Sequence, residues 1–418
     1  MKQIKIEGGH TLTGTIEISG SKNSAVALVP ASLLSDEVVR IENIPNISDI
    51  DALNEILCYL GAKVTRNDGY MVIDSTELVN KEIPENISKK LRASYYFMSA
   101  LLGKFKHVEM YFPGGCNIGS RPIDQTLKAF RILGAKVIEE NNKYIITAEK
   151  LVGGNVYLDM PSVGATINTM LVAAKAEGLT IIENAAREPE IVSVATFLNN
   201  MGAKITGAGT SRIKIMGVEK LKGCFTEVIP DRIEAGTYLI AGALIGKDLT
   251  IANIIPKHIE ALVNKLKEMG FNMEIGIDYI KISSMENIKP VKVKTLGYPG
   301  FATDLQQPLT PLLTLCNGKS ILEETIYENR FNNVPYLNKM GADIIVENNQ
   351  KIYINGPTKL VGAEVEATDL RAGACMVLAG LIAKGTTTIT HVEYILRGYE
   401  NIIPKLRGVG AKIILEEI

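Results

Sequence analysis

The stretch Tyr59-Leu60-Gly61-Ala62-Lys63-Val64 decides the fold: it reads as the end of an amphipathic helix, a glycine, and the start of an alternating run. A glycine there is the residue just past a helix, in the left-handed conformation that a side chain would strain, and the alternation after it predicts a strand. The pattern recurs at Ile132-Leu133-Gly134-Ala135-Lys136-Val137, Asn200-Met201-Gly202-Ala203-Lys204-Ile205 and Glu268-Met269-Gly270-Phe271. It returns again at Lys339-Met340-Gly341-Ala342-Asp343-Ile344 and Gly408-Val409-Gly410-Ala411-Lys412-Ile413. Each unit is about seventy residues long, more than a small solenoid repeat, which favours two domains of three units each over a continuous array. Upstream of the first stop lie a strand, a helix from Asn23 to Leu34 and a short strand over 38–41.

A length of 418 residues is too great for one ordinary core, which again predicts two domains. Hydrophobic content of 46% and charged content of 22% are those of a soluble globular protein. The formal net charge of −1 gives no support for nucleic-acid binding or a polybasic membrane contact, so any cationic site is local. No uncharged stretch reaches the length of a membrane-spanning helix, and the first eight residues alternate like a strand, without the apolar core of a signal peptide. Cys58, Cys116, Cys224, Cys316 and Cys375 are scattered and odd in number, and His10, His107, His258 and His391 are dispersed. That distribution fits a reducing cytoplasm and no zinc site.

Among the cysteines, Cys116 alone sits in a glycine-rich loop, Pro113-Gly114-Gly115-Cys116-Asn117-Ile118-Gly119-Ser120-Arg121-Pro122-Ile123-Asp124. Glycines free the backbone to expose the sulfur, and Arg121 offers a planar donor fork suited to phosphate or carboxylate. A surface loop with an incidental cysteine is the competing reading. The repeat bears on that choice: from strand to stop glycine, Val39 to Gly61 and Thr180 to Gly202 are equal in length, whereas Val108 to Gly134 is longer by four residues. The excess falls at Gly114 to Asn117, so the cysteine rides on an insertion that the scaffold does not require.

Ser19-Gly20-Ser21-Lys22-Asn23-Ser24 follows the strand Thr15-Ile16-Glu17-Ile18 and opens a helix, which makes a ready anion site beside a lysine. It lacks the spacing of a P-loop, and an ordinary turn with a solvated lysine is the alternative. In the fifth unit Asp304, in Phe301-Ala302-Thr303-Asp304-Leu305, stands at a helix start, where either capping or general-base chemistry explains it. Arg92, Arg371 and Arg397 lie at helix starts or a glycine turn and suggest a cationic cleft for a polyanionic substrate between domains.

With these residues assembled, the chain resembles the UDP-N-acetylglucosamine 1-carboxyvinyltransferase family, the enolpyruvyl transferases of the EPSP synthase superfamily that open peptidoglycan precursor synthesis. The resemblance runs from Gly14 to Gly410. It rests on Gly20-Ser21-Lys22-Asn23, Arg92-Ala93-Ser94, Pro113-Gly114-Gly115-Cys116, Ile118-Gly119-Ser120-Arg121-Pro122 and Ser162-Val163-Gly164-Ala165-Thr166. Further matches are Ala186-Arg187-Glu188-Pro189-Glu190-Ile191, Pro230-Asp231-Arg232-Ile233-Glu234, Thr303-Asp304, Glu328-Asn329-Arg330-Phe331 and Asp369-Leu370-Arg371.

The resemblance implies an α/β protein of two inside-out barrel domains, helices inside and sheets outside, at 22–229 and at 1–21 plus 230–418, with the active site in a cleft that closes on substrates. It implies transfer of the enolpyruvyl group of phosphoenolpyruvate to the 3-hydroxyl of UDP-N-acetylglucosamine with release of phosphate. By resemblance, Cys116 is the general acid, covalent partner of phosphoenolpyruvate and target of the epoxide fosfomycin, and Asp304 the base near the sugar hydroxyl. Lys22, Arg121 and Arg397 hold phosphate and carboxylate, with Arg92 and Arg371 extending the cationic lining. Asn23, Arg121, Pro122, Ile123, Asp124, Gln125, Ser162, Val163, Gly164, Ile326, Arg330 and Asp369 are the further substrate positions. No metal or cofactor is implied. Some family members carry lysine where this chain has Ser48 and Met160, so any role of those lysines is open here. Two rivals are 5-enolpyruvylshikimate-3-phosphate synthase, whose members have Ser in place of Asn23 and no cysteine on the loop, and a non-catalytic UDP-sugar-binding paralogue.

Overall fold

The structure, a computed structural model, describes residues 2–114 and 122–417. The chain forms two compact units: one built from the described residues between Gly20 and Ile229, the other from those up to Ser19 together with the chain from Pro230 onward. Each unit has three four-stranded or three-stranded sheets and its own apolar core.

In the first unit the helices Lys22–Ala31, Tyr96–Phe105 and Val163–Ala173 pack on one another and are buried almost all round. In the second, Arg232–Ile245, Gln306–Leu313 and Leu370–Ile382 do the same. A helix apolar on every face needs protein on every face, and these six helices are of that kind. The other helix of a unit, such as Ser48–Tyr59 or Glu260–Met269, is amphipathic and buries one side. The sheets therefore enclose helices, and the inside-out α/β arrangement expected from the resemblance is the one observed.

Among the described residues each sheet is assembled the same way: three antiparallel strands with the last strand of the repeat, or Lys2–Glu7 in the sixth, between the other two, joined in five of six cases by a short parallel edge strand. Thr15–Glu17 pairs in parallel with Leu249–Ala252, Ile16 opposite Ile251. Phe225–Glu227 pairs in parallel with Val39–Glu42, Thr226 opposite Ile41. The segments that follow these two edge strands carry the chain from one unit to the other.

All six stop glycines have positive φ, from 92° at Gly61 to 108° at Gly410. At Gly134 a Cβ would also meet the Lys150 carbonyl oxygen at 2.8 Å, so a side chain there is excluded by contact as well as by conformation. Helix boundaries shift slightly from expectation: the first helix is Lys22–Ala31 followed by the 3-10 turn Ser32–Leu34, and the short strand is Val39–Glu42.

Where the chain leaves Ser19 and where it re-enters at Asp231, one buried ion pair ties both ends together. Lys405 donates to Glu234 at 2.6 Å and to the Ser19 hydroxyl at 2.6 Å, and Glu234 also accepts the Ser19 amide at 2.9 Å. The Asp231 amide bonds the Ser19 carbonyl. Burial pushes the Glu234 carboxyl up to about 7, with Lys405 opposing. Lys405→Met is expected to cost about 3–5 kcal/mol, because it leaves a buried carboxylate uncompensated. A carboxyl whose folded pKa is raised loses stability as pH rises from its unfolded value, so the defect shrinks toward about pH 5. Thermal unfolding at several pH values checks both.

Candidate functional site

The second unit assembles a buried charge cluster around Asp304. Asp304 lies in the 3-10 turn Thr303–Leu305, which leads into the helix Gln306–Leu313 and is capped at Ala302. Both its carboxylate oxygens face guanidiniums: Arg330 Nη2 donates to Oδ1 at 2.6 Å and Arg371 Nη2 to Oδ2 at 3.0 Å. Capping thus does not explain the residue. Burial alone would raise the Asp304 pKa, but Arg371 and Arg330 outweigh it and hold the carboxyl well below its usual range. The Asp304 side chain keeps 25% of its surface, whereas Arg330 and Arg371 keep 3% and 5%, so the carboxylate is the reachable member.

Arg371 is placed by the helix Leu370–Ile382, whose N-cap Asp369 accepts the amides of Arg371 and Ala372 at 2.9 and 3.0 Å. Tyr399 lies beneath its guanidinium, ring centroid at 5.4 Å, and is itself bonded to Thr237 at 2.9 Å. Arg397, half-buried, follows the short helix Glu393–Leu396 two residues before Tyr399. Ile326 is exposed on the loop after the strand Gly318–Glu323.

In the first unit Lys22 opens its helix one residue after the N-cap Ser21, whose hydroxyl accepts the Ser24 amide at 3.3 Å. Lys22 is not a solvated lysine: its ammonium pairs at 2.8 Å with Asp49, on the first turn of Ser48–Tyr59, both side chains largely buried. Asn23 beside it is half-buried. Arg92, in the turn Arg92–Tyr95, stacks over the Tyr95 ring at 5.7 Å. The Tyr95 hydroxyl lies where a Cβ on Gly164 would stand, at 1.7 Å, so the glycine in Ser162-Val163-Gly164 is required by this contact. Ser162 caps its helix by accepting the Ala165 amide at 3.2 Å. Gln125 is fixed by Asp159, donating to its carboxylate at 2.9 Å and accepting its amide at 2.8 Å. Asp124 and Pro122 are exposed and Ile123 buried. Cys116 and Arg121 lie outside the described residues.

Sequence reasoning gave no role to Asp49, Thr303, Glu324 or Tyr399. An acid at a helix start, as Asp49 is, carries no signal beyond capping, and the others act through contacts between distant segments. The remaining thiols are poor nucleophile candidates where buried: burial pushes Cys224 up to about 11 and raises Cys316 and Cys375 as well. Among the described residues no group of histidines, cysteines and carboxylates could hold a metal ion, and no helix is long and apolar enough to cross a membrane.

The chain belongs to the EPSP synthase family: the model of EPSP synthase (3-phosphoshikimate 1-carboxyvinyltransferase) matches residues 6–406. Within that class it is 53% identical over 419 residues to UDP-N-acetylglucosamine 1-carboxyvinyltransferase 2 of Bacillus subtilis, covering 100% of this chain and 97% of the relative. It is 52% identical to the protein of the same name from Lactococcus lactis, with 100% of both chains covered. The crystal structure of the enolpyruvyl transferase NikO from Streptomyces tendae superposes with a TM-score of 0.90 at 26% identity, covering 99% of this chain and 98% of that one. An EPSP synthase from Acinetobacter baumannii shares the fold, with a TM-score of 0.76 at 18% identity over 100% of both chains.

Proposed function

We propose that this protein transfers the enolpyruvyl group of phosphoenolpyruvate to the 3-hydroxyl of UDP-N-acetylglucosamine, releasing phosphate, as the first committed step of peptidoglycan precursor synthesis in the cytoplasm. The observation that carries the reading is identity of about half the residues, end to end, with enzymes of that name, whereas likeness to EPSP synthase is a likeness of fold.

In the reaction the Cys116 thiol gives its proton to the methylene carbon of phosphoenolpyruvate, and C2 becomes electrophilic. The sugar 3-oxygen bonds to C2 while its proton passes to Asp304. That carbon, now a methyl group, then returns a proton to the thiolate, the C2–O bond to phosphate breaks, the proton held by Asp304 passes to the departing phosphate or to water, and the enol ether remains. Asp304 between two guanidiniums is ionised throughout the working pH range but weakly basic; the hydroxyl becomes acidic only as its oxygen bonds to C2, so transfer is favoured late in that step. An anionic substrate that shares Arg371 would draw off one donor and strengthen the base. Lys22, Arg121 and Arg397 hold the substrate's phosphate and carboxylate, with Arg92, Arg330 and Arg371 as further cations and Asp369 placing Arg371. Asn23, Pro122 to Gln125, Ser162 to Gly164 and Ile326 contact the nucleotide sugar. The domains that bring these groups together are taken to be 22–229 and 1–21 with 230–418, which the two compact units support.

Phosphate release is expected with phosphoenolpyruvate and UDP-N-acetylglucosamine together, and not when shikimate 3-phosphate replaces the sugar nucleotide. Release with shikimate 3-phosphate alone as acceptor would overturn the assignment. No release with either would favour a binding paralogue.

A further inference from the structure

Glu324 is fully buried just after the strand Gly318–Glu323, yet it carries no role in the mechanism above. Its Oε1 accepts the Ile326 amide at 2.8 Å, the Tyr327 amide at 3.2 Å and the Thr295 hydroxyl at 2.9 Å. Its Oε2 accepts the Thr303 hydroxyl at 2.8 Å. Thr303, donating its O–H to Glu324, presents a lone pair to Arg330 Nη1 at 2.7 Å, and the same guanidinium reaches Asp304 through Nη2 at 2.6 Å. The Arg330 Nε is buried with no partner among the described residues, so the hydrogen bonds of the fork run to Thr303 and Asp304, with the Tyr327 ring 5.1 Å from the guanidinium carbon. Glu324, Thr303, Arg330 and Asp304 thus form one chain of hydrogen bonds in which every donor direction is set by the carboxylate at its buried end.

Charge makes the same point. Arg371 also has Asp231 to offset its charge, whereas Arg330 has Asp304 as its paired carboxylate, and Glu324 adds a second negative charge on the Arg330 side. A buried cation without a counter-charge is costly, and the excess would fall on the reachable carboxylate and weaken it as a proton acceptor.

We propose that Glu324 is a positioning residue for the Asp304 carboxylate: it fixes the Thr303 hydroxyl as an acceptor for Arg330 and supplies the second negative charge, thereby setting both the orientation and the proton affinity of Asp304. The proposal rests on the reading of Asp304 as the base, and it predicts a specific pattern. Glu324→Gln keeps an oxygen for the Ile326 and Tyr327 amides but turns an N–H group toward Thr303. Hence kcat should fall roughly 10- to 100-fold, the magnitude of one charge-assisted hydrogen bond, with KM for UDP-N-acetylglucosamine little changed.

The test is a double-mutant cycle of steady-state kinetics on the full chain, with Glu324→Gln and Asp304→Asn singly and together. Thr303→Val, which cuts the same link from the other side, is added in case Glu324→Gln folds poorly. If Glu324 acts through Asp304, its substitution lowers kcat in the wild-type background and has little further effect beside Asp304→Asn. Equal losses in both backgrounds would mean a structural role and overturn the proposal. Turnover within about twofold of wild type for both Glu324→Gln and Thr303→Val would overturn it too, while leaving Asp304 as the base. Near-normal turnover of Asp304→Asn alone would instead remove the reading on which it rests.

Discussion

Asp304→Asn lowers kcat by roughly 10²- to 10⁴-fold, the range that general-base catalysis contributes, while UDP-N-acetylglucosamine still binds. The expectation follows from what the substitution keeps and removes. An amide oxygen can still accept from Arg330 or Arg371, both now held by Asp304, so the pocket keeps much of its shape. The amide nitrogen cannot take the hydroxyl proton, and it faces the second guanidinium with a donor. Calorimetric titration with the sugar nucleotide beside a turnover assay separates the two effects. Retained binding with lost turnover is the expected result; near-normal turnover would remove Asp304 from the mechanism. Stability gives a further check. The Asp304 pKa is lowered in the fold, so its contribution to stability is present above the unfolded value near 3.8 and lost as pH falls toward the folded one. The variant should lack that acid-side loss.

How far such a site can be read in a sequence depends on the distance over which its cause operates. The six stop glycines were legible because a helix end, a left-handed residue and a strand start are adjacent in sequence, and all six have positive φ. The first central helix was legible from local sequence, read from Asn23 to Leu34 and observed as Lys22–Ala31 with a following 3-10 turn. Asp304 was visible only as an acid at a helix start, with capping and catalysis undecided. What the sequence could not show is that its carboxylate is held by Arg330 and Arg371, each a different element away. Lys22 shows the converse: its place at a helix N-terminus is local, but its pairing with Asp49 at 2.8 Å is a fact of packing. Glu324 left no sequence signal, since a glutamate at a strand end ordinarily faces water. Its burial depends on two threonines and two amides collected from three segments.

Cys116→Ala is expected to lower turnover by a comparable roughly 10²- to 10⁴-fold, because a methyl group has no proton to give the methylene carbon. It should also abolish covalent labelling by fosfomycin, since epoxide opening needs a thiolate. The other cysteines make the labelling half of the test specific. Cys316 and Cys375 are buried and Cys224 half-buried, and all three thiols are raised by burial, which disfavours the thiolate. Cys58 is exposed on the helix Ser48–Tyr59 and serves as the internal control. Intact-mass measurement should show one adduct on the wild-type chain, one on Cys58→Ala and none on Cys116→Ala. An adduct that persists on Cys116→Ala and vanishes on Cys58→Ala would transfer the reactivity to the helix and sink the loop assignment. Loss of the adduct with turnover unimpaired would keep Cys116 as the accessible thiol but take from it the proton that the reaction needs.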